Sequence, residues 1–176
     1  MRIKEWKDAN VRGLSIINHQ KGLPPLERED ENVFHDDIEV NAQTLDFGLL
    51  TTWDLYRLAR NYGRLDWCHD DVRDLLLKTK GRVDPVPAHY EDLGAIENYF
   101  AEPGVIALRL TDGKKISVGD RVAYQTPIDF IEEEVTSMQI ENEQVQNAAG
   151  EVLVGLKTAL AKGQARTKTR VFRVDR

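Results

Sequence analysis

The chain has 176 residues, 41% hydrophobic and 31% charged, with a formal net charge of -6 and a mean hydropathy of -0.48. That balance fits an ordinary soluble globular protein of one large or two small domains and excludes a disordered chain. No apolar run approaches the roughly 20 residues that span a bilayer, and a single cysteine, Cys68, leaves no disulfide framework, so the expected setting is reducing and cytoplasmic.

In chain order, Val11 to Asn18 is a short β-branched and apolar run that predicts a strand, closed by Asn18-His19 and the turn Lys21-Gly22-Leu23-Pro24-Pro25. The two prolines fix φ and forbid helix just before them. Phe34, Ile38, Ala42 and Leu45 have helical spacing with an acidic outer face. Phe47 to Leu50 is a second strand-like run. Thr51 and Thr52 are good N-cap residues for a helix from Trp53, with Asn61-Tyr62-Gly63 as its stop. A further helix is expected from Asp66 to Lys80. Strand, helix, strand, helix, helix is the alternation of an α/β unit with parallel neighbours. Two strands are too few for a stable sheet, so partners must come from elsewhere: an upstream segment, a second chain, or a sheet that periodicity does not disclose.

From Gly81 the texture changes. Arg82 to Pro87 reads as a linker, and strand-like runs then recur every ten residues or so, the spacing of a barrel or sandwich. They are Tyr90 to Tyr99, Val105 to Leu110, Arg121 to Thr126, Glu132 to Ile140, Val152 to Leu156 and Thr169 to Val174. Asp112-Gly113 predicts a type I′ hairpin turn, and Gly119-Asp120 a turn whose carboxylate can accept from backbone amides. Gly150 and Gly155 are expected at bends. The expected division is an α/β segment over 1–80, a linker over 81–89 and a β-barrel over 90–176. The fold class is α+β: a small α/β N-terminal segment, then an antiparallel barrel of six or more strands.

Two resemblances bear on function. Ile116-Ser117-Val118-Gly119-Asp120-Arg121-Val122, with Val135 to Gly150 and Val152 to Leu156, resembles domain II of elongation factor Tu and its translation-factor relatives. That resemblance implies a barrel that contacts RNA or a ribonucleoprotein partner. The phosphate loop of those GTPases is absent, since Asp112-Gly113-Lys114-Lys115 lacks its first glycine and its hydroxyl residue; GTP is not expected. In the first half, Asn18-His19, Pro24-Pro25-x-x-Arg28 and Leu49 to Tyr56 resemble the back half of restriction-endonuclease-like domains of prokaryotic proteins. This second resemblance implies an accessory part of a nuclease whose catalytic carboxylates lie outside the chain.

The candidate residues follow. His19, His35, His69 and His89 are far apart in sequence, and no Cys-x-x-Cys or His-x-x-x-His pair exists, so no metal, cofactor or catalytic residue is assigned. Asn18, His19 and Arg28 follow a strand end, where α/β proteins place sites. Lys162, Arg166, Lys168, Arg170 and Arg173 alternate with small or apolar residues and are expected on one face, suited to phosphate contact. The expected function is a non-catalytic binding module for RNA or a ribonucleoprotein, with no membrane partner. The alternatives are the accessory nuclease part or a module that self-associates through its N-terminal strands.

Overall fold

A computed structural model of the chain describes residues 13–28, 33–161, 163, 164 and 166–175. It divides into two compact units, Met1–Ala88 and His89–Arg176.

In the first unit β1 (Gly13–Ile17), β2 (Phe47–Thr51) and β3 (Gly81–Arg82) form a parallel sheet in the order β1-β2-β3. Between them run α1 (Asp36–Thr44), α2 (Thr52–Leu65) and α3 (His69–Lys78). Val11 and Arg12, expected in the first strand, lie outside the described residues. The third strand falls in the segment expected to be linker: Gly48 pairs with Gly81 and Leu49 with Arg82. Two residues are too short for any periodicity to register. Gly81 has φ 73°, and a Cβ there would stand 3.1 Å from the Gln43 side chain on α1. Phe34, Ala42 and Leu49 form one buried cluster of this unit, with Ile17, Val33 and Phe47 packed against them.

Thr51 caps α2 with a reciprocal capping box: its hydroxyl accepts from the Asp54 amide, while Asp54 accepts from the Thr51 amide. The helix does not stop at Gly63. A lone helical glycine costs about 1 kcal/mol, less than the last turn returns, and α2 ends where Asp66 takes φ 55°. On α1 the predicted stripe is only half buried. Phe34 and Ala42 are inside, whereas Ile38 and Leu45 are exposed.

The second unit is built on ten strands: β4 (Tyr90–Phe100), β5 (Val105–Leu110), β6 (Lys115–Ser117), β7 (Arg121–Gln125), β8 (Phe130–Glu134), β9 (Met138–Ile140), β10 (Glu143–Val145), β11 (Asn147–Ala149), β12 (Leu153–Lys157) and β13 (Arg170–Val174). Eight form one antiparallel sheet in the order β10-β9-β12-β5-β4-β13-β7-β8, while β6 and β11 make a separate ribbon. The antiparallel character is as expected. Among the described residues no ladder joins β8 to β10, so the sheet is not a closed barrel. Leu93, Ile96, Leu108, Tyr124, Val154 and Val171 of the sheet and Ile116 of the ribbon share one buried core.

Three local expectations are corrected. The run Glu132 to Ile140 is two strands, because Val135 leaves the ladder to exchange hydrogen bonds with the Gly119-Asp120 turn (2.8 Å each). Asp112-Gly113 is not a hairpin turn: only Gly113 has positive φ, and the flanking β5 and β6 pair with other strands. Instead the tight hairpin is β9–β10, where Glu141 (φ 52°) and Asn142 (φ 69°) supply the two positive φ values of a type I′ turn. Asp120 does bond a backbone amide, that of Ser117, at 2.8 Å. Gly155, by contrast, sits in regular strand rather than at a bend.

Gly94 sits where β4 changes register against β13. Its φ is 133°, and a Cβ there would lie 2.0 Å from the Arg109 carbonyl oxygen, an impossible contact. Gly94→Ala should therefore cost about 3 kcal/mol or more. Gly113→Ala, also at positive φ but in open space, should cost about 1 kcal/mol. Urea unfolding of the two variants checks the ranking, and equal midpoints would refute it.

Candidate nucleic-acid interface

The first candidate locus lies at the carboxyl end of the parallel sheet. Asn18 follows β1, and its Oδ1 accepts from Arg28 Nη1 at 2.9 Å and from the Thr52 hydroxyl at 3.2 Å. Arg28 Nε donates to the Leu23 carbonyl at 2.9 Å, closing the Pro-Pro turn onto the strand end. Asn18 and Arg28 are thus brought together, and His19 lies beside them, half-buried. Behind them Asp54, 2% exposed, accepts from both the Thr51 amide and hydroxyl and pairs with Arg82 Nη2 at 2.6 Å. Arg82 also stacks over the Phe34 ring at 5.6 Å. These bonds fasten the Pro-Pro turn to the end of β1 and the start of α2. The cluster locks a loop to a helix start, which is a structural task.

The second locus is the cationic connection between β12 and β13. Lys162 lies outside the described residues. The other four cations are not on one face. Side chains three apart on a strand point to opposite sides: Arg170 lies over the Phe172 ring at 4.8 Å, while Arg173 reaches the Lys115 carbonyl and Glu91. Both strand arginines are neutralised. Arg170 Nη2 is 2.7 Å from Asp92, and Arg173 is 2.6 Å from Glu91 and 2.9 Å from Asp175. The Asp175 hydrogen bond holds the Arg173 guanidinium above even its ordinary high value. On the connection itself Arg166 donates, among the described residues, only to the Gly163 carbonyl, at 3.3 Å. Lys168 is exposed in a left-handed conformation, φ 66°. Lys157, at the end of β12, is exposed as well. Among the described residues no carboxylate pairs with Lys157, Arg166 or Lys168.

The connection is anchored at both ends. The Lys168 amide donates to the Ile96 carbonyl and the Ile96 amide to the Thr169 carbonyl, each at 2.8 Å. At the other end Glu133 accepts from the Tyr124 hydroxyl at 2.7 Å and from the Ala159 amide at 3.0 Å. Sequence reasoning missed this anchor, since nothing in the run of three glutamates distinguishes Glu133 from its neighbours.

Among the described residues no group of three or more histidine, cysteine or acidic side chains converges to hold a metal ion, and no helix is long and apolar enough to cross a membrane.

No family model and no curated protein matches the sequence. Solved structures that resemble it include the C-terminal domain of a Geobacillus thermoleovorans protein assigned as a U32 peptidase, with 16% identity and a TM-score of 0.41, over 47% of this chain and 91% of that one. The selenomethionine variant of that domain gives 17% identity and a TM-score of 0.40, over 47% and 98%. Neither elongation factor Tu domain II nor a restriction-endonuclease-like domain appears among these structures, so both resemblances read from the sequence are corrected. Their motifs, a Gly-Asp turn between strands and a strand end followed by a Pro-Pro turn, are general devices of sheet proteins and carry no lineage.

Burial raises the Tyr124 phenol well above its ordinary 10.0, and the adjacent Glu133 carboxylate adds to the shift. Above about pH 10 the unfolded chain gives up this proton while the folded chain keeps it. Stability from this group is therefore complete below that pH and falls as pH rises beyond it. Urea midpoints should drop above about pH 10 more steeply in the native chain than in Tyr124→Phe; parallel slopes would refute the assignment.

Proposed function

We propose that this chain is a non-catalytic module that binds RNA through the cations leading into and along the β12–β13 connection. The observation that carries this reading is charge without a counter-charge. Lys157, Arg166 and Lys168 hold no carboxylate among the described residues, while Arg170 of β13 holds one and Arg173 two. Unpaired exposed cations on an anchored segment are what phosphate oxygens neutralise, and the gain comes from released counterions. The net charge of -6 means that most of the surface repels a polyanion, so a single local patch sets the orientation.

Fluorescence anisotropy with labelled single-stranded RNA, duplex RNA and duplex DNA at several salt concentrations tests this. Replacing Lys157, Arg166 and Lys168 together by glutamine should weaken RNA binding at least tenfold and flatten the log–log salt slope by about 2, at ~0.7 per contact for single strands. Arg170→Gln should leave the slope unchanged, because Asp92 already neutralises it. Absence of RNA binding by the native chain at low salt sinks the reading.

Self-association is a second reading, favoured by one observation in the first unit. Val40 and Leu45 are 62% and 69% exposed around α1, and Leu26 is 58% exposed nearby in sequence. Large apolar side chains left exposed are what a self-association surface would cover. Sedimentation equilibrium should then show a dimer that Leu45→Glu weakens; a monomer at the highest attainable concentration rules it out.

A further inference from the structure

The outward side of the eight-stranded sheet carries a depression of about 210 Å³ where β5, β9, β10 and β12 meet. Gly155, Val105 and Pro103 line it together with Ser137, Gln139, Gln144 and Lys157. The hollow exists because a glycine stands mid-strand between Ala107 and Gln139, its cross-strand partners. The backbone does not require glycine there. Gly155 is not among the glycines of positive φ. A Cβ would meet only ordinary contacts, 3.5 Å from Val105 Cγ1 and 3.6 Å from the Gln139 carbonyl. A glycine that neither φ nor crowding demands is a known mark of a place where another group approaches the strand.

The register defines what surrounds the hollow. Phe100, Val105 and Lys157 are directly opposite one another on β4, β5 and β12. Opposed residues share a face, so a 48% exposed phenylalanine, an aliphatic side chain and an unpaired cation stand in one row. At ordinary strand spacing that row is about 10 Å long. Gln139 and Gln144 are likewise opposed across the β9–β10 hairpin. Each amide offers both donors and an acceptor, and among the described residues neither side chain makes a hydrogen bond. The depression is smaller than the roughly 300–1,000 Å³ of ordinary small-molecule sites, so it holds one flat polar group rather than a whole cofactor.

From this juxtaposition we infer that the hollow over Gly155 is a base-binding subsite for single-stranded RNA: one unstacked base lies on Gly155 and Val105 with its edge at Gln139 and Gln144, its neighbour stacks on Phe100 on one side, and Lys157 takes the phosphate on the other side of the first base. An aromatic platform, amide groups for a base edge and a nearby cation are the three elements by which single strands are held. This inference rests on the RNA-binding reading and adds to it a preference that duplexes cannot satisfy, because paired bases do not reach a recess.

Two measurements on the full chain separate the inference from the reading it rests on. In the first, amide NMR spectra are recorded with nucleoside 5′-monophosphates and with ribose 5-phosphate. The nucleotides should shift the Val105, Gln139 and Gly155 amides and the sugar phosphate should not; equal or absent shifts overturn the subsite whether or not RNA binds. In the second, anisotropy compares single-stranded with duplex RNA for Gly155→Leu, which fills the hollow, and for Phe100→Ala, an exposed position that keeps the fold safe. Each should weaken single-strand binding about tenfold, the scale of one lost base contact, and leave duplex binding unchanged. Native-like single-strand affinity in both variants overturns the subsite while leaving the cationic patch standing. Nucleotide shifts at Gly155 without any RNA binding overturn the RNA subsite together with the patch.

Discussion

The second unit depends on the pairing of β13 between β4 and β7. Its five residues hold the two halves of the eight-stranded sheet together, since β7 and β8 reach the other strands only through it. Alternation then sets its side chains to work on both sides. Val171 enters the main core, while Phe172 meets Tyr90 at 6.0 Å and Phe130 at 5.8 Å in an aromatic cluster. To accept this strand β4 must change register between Asp92 and Gly94, and only glycine can stand with φ 133° against the Arg109 carbonyl. The pairing therefore selects a residue type on a neighbouring strand some 77 positions away in sequence, counted from Gly94 to Val171.

The same pairing divides the basic residues into two kinds. Arg170 and Arg173 belong to the strand and are drawn into ion pairs with β4 carboxylates, which fix its position and leave little net charge outward. Exposed pairs of this sort contribute at most about 1 kcal/mol each, so their clearer consequence is electrostatic: they silence two cations. Arg166 and Lys168 belong to the connection before the strand, tied down by Ile96 and Glu133 through backbone amides, and their charges remain available. Arg166 and Lys168 on the connection, with Lys157 at its start, therefore carry charge that no described carboxylate offsets.

In the first unit the equivalent constraint is the capping box of α2. Asp54 satisfies the helix start and Arg82 together, so a strand of two residues is held to the sheet by an ion pair as well as by its ladder. Asn18 and Arg28 fasten the Pro-Pro turn to the same end. A strand-end position that suggests chemistry on sequence grounds carries a polar cluster that fastens a turn to the sheet.

By itself the sequence determined the elements whose signals are local. The periodicity of α1 to α3, the Thr51 cap, the Gly119-Asp120 turn and the longer strands of the second half are set by side-chain spacing and by backbone freedom within a few residues. Of the strands of two or three residues, β3, β6, β10 and β11 carry too little pattern to read, and β9 is legible only as the end of a longer run. Ladder order, the open edges of the sheet and the break at Val135 are fixed by partners distant in the chain. The candidate surface divides in the same way. The basic composition of the tail was plain, but which cations keep their charge was decided by Asp92, Glu91 and Asp175. The row of Phe100, Val105 and Lys157 exists only because three strands meet in one register, and a register between distant strands has no local signature.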